Sequence, residues 1–160
     1  MSKAAVQIDP RGPRFTASIT LALFAVVLLS PSHALSIVLL AAQTAFFAIG
    51  AGRGVQFTPT AYVFKNLVRP RLAAPDHLED AAPPRFAQAV GLFFAVGALV
   101  GYATGAILLG EIFAGFATIA AFLNAVFAFC LGCELYLLGK RLTTTNDTTT
   151  TTENKEEVNA

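Results

Sequence analysis

Hydrophobic residues along this chain fall in long blocks almost free of charge, and the charged residues are confined to the stretches between them. Hydrocarbon about 30 Å thick is crossed by roughly 20 apolar residues in a helix. Four blocks fit that pattern, over 15–30, 33–52, 86–109 and 112–139; the first is the shortest and the fourth is longer than a crossing needs. Only Ser30-Pro31-Ser32 separates the first two, which predicts a tight helical hairpin with Ser32 as N-cap of the second helix. Gly110 and Glu111 mark the expected turn between the third and fourth. The fold class predicted is all-α, an integral membrane bundle of four transmembrane helices.

The polar stretches are an N-terminal segment 1–14, a loop 53–85 and a tail 143–160. Within the loop, Thr58-Pro59 reads as an N-cap followed by proline at the first helical position, with Ala61, Phe64, Leu67 and Val68 near one side. This predicts a short helix in the membrane interface, its Lys65, Arg69 and Arg71 suited to anionic head groups. The threonine-rich, charged tail is expected to be disordered.

Composition agrees with the pattern: 55% hydrophobic, 13% charged and a mean hydropathy of +0.63 lie outside the balance of soluble domains. With a net charge of only +1, nucleic acid is not an expected partner; the lipid bilayer is. Lys3, Arg11 and Arg14 precede the first span. Arg53, Lys65, Arg69, Arg71 and Arg85 lie between the second and third, and Lys140, Arg141 and Lys155 follow the fourth. The two short connections carry no lysine or arginine, so the positive-inside rule places both termini and the middle loop in the cytoplasm of a multi-pass plasma-membrane protein. A cleaved signal peptide ending near Ser32-His33-Ala34 is the rival reading of the N-terminus. The apolar run resuming at Leu35 favours a hairpin.

Pro13-Arg14-Phe15 and Pro84-Arg85-Phe86 open the first and third spans, consistent with two related parallel hairpins or simply with a favourable helix start. Gly97, Gly101 and Gly105 recur every four residues on one helix face, a small-residue face for close helix packing, either within the chain or in a homo-oligomer. Gln43, Thr44 and Asn124 are read as interhelical hydrogen-bonding groups.

Candidate chemistry is confined to Cys130 and Cys133, the only cysteines, in Cys-Leu-Gly-Cys-Glu. On a continuous fourth helix they share a face with Glu134 near its cytoplasmic end. A dithiol/disulfide couple, a persulfide relay, a metal site completed by His77, Asp76 or Glu134, and two inert packing cysteines all remain open. A helix C-terminus beside a carboxylate disfavours a thiolate, and Arg14, Arg53 or Arg85 would be the charge partner of Glu134. Neither cofactor nor bound metal is expected.

The chain also resembles a bacterial membrane family described as domain of unknown function 4395. The resemblance rests on Asp9-Pro10-Arg11 with Pro13-Arg14-Phe15, on Leu67-Val68-Arg69-Pro70-Arg71-Leu72, and on Pro83-Pro84-Arg85-Phe86-Ala87-Gln88. It continues through Phe122-Leu123-Asn124 and Phe127 to Cys130-Leu131-Gly132-Cys133-Glu134, covering about residues 9 to 142. What it implies is a small helical membrane protein associated with thioredoxin-like and sulfurtransferase proteins. The leading functional expectation is thus thiol redox or sulfur relay through Cys130 and Cys133, tuned by Glu134. A non-catalytic membrane scaffold and a small-molecule carrier are the alternatives.

Overall fold

The computed structural model describes residues 6–75 and 77–143; the tail beyond Thr143, with its expected disorder, lies outside the described residues, as does Asp76. The chain forms an all-α bundle. Four helices are long and apolar enough to cross a membrane: α1 (Arg11–Leu29), α2 (His33–Gly52), α4 (Ala82–Thr104) and α5 (Ile107–Phe127). Between α2 and α4 lies the short α3 (Pro59–Val63), continued by a wide turn over Phe64–Val68 and a tight one over Arg69–Arg71. A final helix, α6, occupies 131–143. Two short strands, β1 (Gln7–Ile8) and β2 (Glu79–Asp80), pair antiparallel and tie the N-terminal segment to the end of the loop.

Local chemistry explains most of these boundaries. Ser32 caps α2 through its hydroxyl oxygen, which accepts from the Leu35 N–H at 3.4 Å, and Thr58 caps α3 in the same way from Ala61 at 3.2 Å. Pro59 occupies the first turn of α3, where its missing N–H costs nothing. The second turn departs from expectation: α4 ends at Gly105, whose φ of +80° makes it the C-cap, so the chain reverses at Gly105 and Ala106 rather than at Gly110 and Glu111.

The helices pack as a ring, α1 to α2, α2 to α4, α4 to α5 and α5 back to α1, with the α1–α2 hairpin the loosest pair. At its centre are Phe24, Val27, Leu40, Ala95, Ala98 and Ala114, none with any exposed surface. Alanine and glycine on α4 and α5 let those two backbones approach closely. A Cβ on Gly101 would collide with the backbone of Gly110, and one on Gly97 with the ring of Phe113. Gly105 has nothing within 4 Å and serves the turn instead of the packing face. That face is therefore filled inside the chain by α5. Two polar contacts cross the interior between α1 and α2, the Gln43 amide donating to the Thr20 hydroxyl at 3.1 Å and the Ser36 hydroxyl to the Val27 carbonyl at 3.3 Å, whereas Thr44 Oγ is buried without a partner among the described residues.

Candidate thiol site at the start of the last helix

The fourth long helix does not run to residue 139. It stops at Phe127, and Ala128 adopts a left-handed conformation with φ +56°, its N–H turned back to the carbonyl of Leu123. Residues 128–130 are non-helical and α6 begins at 131. The break corrects the expected site: Cys130 and Cys133 stand at the N-terminus of a new helix, not at the C-terminus of a membrane span. Cys130 takes the N-cap position, its sulfur accepting from the Cys133 N–H at 3.4 Å and its carbonyl from the Glu134 N–H at 3.0 Å.

The two sulfurs are joined as a disulfide across a Cα separation of 5.2 Å. Its surroundings invert the electrostatics expected from sequence. The Cys133 N–H and the positive end of the helix dipole face the Cys130 sulfur, an arrangement that favours a thiolate after reduction. Glu134 lies in the first turn of α6, exposed, where an acidic side chain stabilises the helix through the same dipole.

No ion pair forms between Glu134 and the three candidate arginines, because each guanidinium is engaged elsewhere. Arg85 donates to the carbonyls of Ala51 and Gly52 at 2.8 and 2.7 Å, closing the C-terminus of α2. Arg14 reaches the carbonyl of Ala125 near the end of α5 at 3.5 Å, and Arg53 lies over the ring of Phe57, 5.8 Å from its centroid. Free carbonyls at helix ends attract cations as a carboxylate would. Residue counts and membrane depth alone do not distinguish these partners.

Positioning of α6 depends on Gly132, a residue that sequence reasoning passed over. A Cβ there would lie 2.6 Å from the Cα of Ala87, so only glycine allows the start of α6 to rest on the first turns of α4. The rings of Phe86 and Tyr136, 5.9 Å apart, continue the contact. Glycine between two cysteines in an apolar run was the available signal.

Behind the disulfide is a cavity of about 350 Å³ lined by Cys130, Leu131 and Gly132 together with α1, α4 and α5. A second cavity, about 290 Å³, lies between the N-terminal segment, the start of α1 and α3, with Asp9, Lys65 and Arg69 in its wall. Pro13, Thr16 and Gln88 line both. Asp9 binds Arg11 at 3.2 Å and leaves its second carboxylate oxygen buried without a partner among the described residues. Thr16, Thr60 and Thr58 form a chain of hydroxyls at 2.9 and 3.2 Å beside the shared wall. His77 pairs with Glu79 at 3.3 Å, and among the described residues no group of three or more metal-ligating side chains assembles.

The sequence model for domain of unknown function 4395 matches residues 8–141, nearly all of the described structure. The chain belongs to that family. The matched region takes in all four long helices, the disulfide and α6 down to Arg141. No curated protein and no solved structure gives a significant match.

Proposed function

We propose that this family member exchanges thiols and disulfides through Cys130 and Cys133 at the surface of the bacterial plasma membrane, with both termini and the disulfide on the cytoplasmic side. The observation that carries the reading is the disulfide across the N-cap and first turn of α6, with the Cys133 N–H directed at the Cys130 sulfur. Attack by a partner thiolate on the Cys133 sulfur expels Cys130, whose thiolate the helix terminus stabilises; a better-stabilised leaving thiolate departs faster. A second partner thiol then resolves the mixed disulfide, leaving Cys130 and Cys133 reduced and the partner oxidised. The natural partner is a soluble dithiol protein of the thioredoxin-like or sulfurtransferase kind.

The test is thiol trapping in membranes. Wild-type protein should shift between oxidised and reduced forms when treated with a glutathione redox series, and Cys130→Ser should leave a Cys133 that holds the mixed disulfide with the partner. A pair that stays in one state across the series, in protein that is folded, would sink the reading. A persulfide relay through the same sulfurs would instead label with cyanolysis reagents after exposure to a sulfane-sulfur donor.

A further inference from the structure

The disulfide has a neighbour on its membrane side that exchange with a soluble partner does not use: the cavity of about 350 Å³. Its volume is that of a small-molecule site. Phe47, Phe94 and Phe116 contribute rings to its wall, and Cys130 is the one cysteine that lines it. Phe116, Ile119 and Leu135 also line it although each is more than half exposed, on the apolar flank of a helix bundle of membrane-spanning length. In a bundle that crosses the membrane as proposed, those exposed apolar residues would put lipid beside the cavity, a route for an apolar occupant.

Polar groups on this wall are few, and each carries a donor. Thr20 is 95% buried by its 5% exposure, and its oxygen accepts from the Gln43 amide, while its own proton has no acceptor among the described residues. The carboxamides of Gln88 and Asn124 also face the cavity without a hydrogen-bond partner among the described residues. A flat apolar ring carrying carbonyl oxygens would satisfy those donors.

We infer that the cavity binds a lipid-soluble quinone, which oxidises the reduced Cys130–Cys133 pair. The inference rests on the thiol-exchange reading above. The Cys130 thiolate adds to the quinone ring, forming a carbon–sulfur bond. The Cys133 thiolate attacks the Cys130 sulfur, the carbon–sulfur bond breaks toward the ring, and the disulfide re-forms. The ring leaves with two electrons and takes up the two protons that the thiols released. Each cycle converts one dithiol and one quinone into one disulfide and one hydroquinone, so electrons taken from a soluble dithiol pass into the membrane pool.

The experiment uses the reduced full-length chain in lipid nanodiscs with a decyl-substituted dimethoxy-methyl-benzoquinone as the probe. Hydroquinone absorbance and free thiols are followed together. Saturable formation of one hydroquinone per disulfide is expected. Thr20→Val should slow the reaction about fivefold at low quinone through loss of one hydrogen bond. Thr20→Ser should restore it. Ala120→Phe, which fills the cavity, should abolish quinone turnover while exchange with oxidised glutathione persists. If exchange with glutathione persists but wild type makes no hydroquinone, or both the Thr20→Val and Ala120→Phe proteins match wild type, the quinone site is overturned and thiol exchange stands. If neither glutathione nor quinone changes the redox state, both fall. Should Ala120→Phe fail to fold, the Thr20 pair decides.

Discussion

Gly132 seats the start of α6 on α4, and Ala128 turns the chain out of α5. Replacing Gly132 with alanine forces the start of α6 away from Ala87 and should cost about 1–3 kcal/mol in unfolding experiments in detergent. Gly139→Ala, with open space around it, should cost nothing measurable. At Ala128 the left-handed backbone penalises any Cβ. Ala128→Gly should stabilise the fold by up to about 1 kcal/mol by the same measurement. The helix terminus also separates the two thiols chemically. In reduced protein, Cys130 should alkylate with a pH midpoint below about 8.5, the value of an unperturbed thiol, and below that of Cys133 in the complementary serine variants. Equal midpoints would show that the N-cap arrangement does not persist after reduction.

At the scale of elements, cation placement at helix ends organises the basic end of the bundle. Arg85 closes α2 with two short hydrogen bonds, whereas Arg14 makes one long contact near the end of α5. Arg85→Met should therefore destabilise by about 1 kcal/mol and Arg14→Met by no more than about 0.5 kcal/mol. Differential unfolding of the two variants checks this. The glycine face of α4 was legible as a packing device, because spacing alone puts Gly97 and Gly101 on one side. Its partner was not. Since Gly110 fills it from α5, Gly101→Leu should unfold the α4–α5 hairpin, losing about 3 kcal/mol, rather than release a second chain from a folded monomer. Analytical ultracentrifugation beside unfolding separates these outcomes. The end of α5 was harder to read: Phe127-Ala128-Phe129-Cys130-Leu131 contains neither proline nor glycine, and hydropathy continues unchanged across it. Only the packing of Gly132 on Ala87, with Ala128 turned left-handed, shows where one helix ends and another begins.

For the whole molecule, the ring of four long helices brings the ends of α2 and α5, the starts of α1 and α4, and the disulfide to the same end. Membrane-impermeant labelling of single cysteines placed at Ser32 and Gly105 should therefore give one sidedness, and at Gln56 and Gly139 the other. Mixed labelling would refute the four-crossing topology. The sequence by itself determined the helical class and the number of long apolar helices, because a span must satisfy its backbone internally over a length set by hydrocarbon thickness. It also marked the caps at Ser32 and Thr58, where the signal is local. Tertiary structure alone decided the rest. Which carbonyls the arginines close, which helix meets Gly101 and where Cys130 lies in its helix depend on contacts between residues distant in sequence. The last of these reversed the dipole at the thiols, and with it the chemistry expected of them.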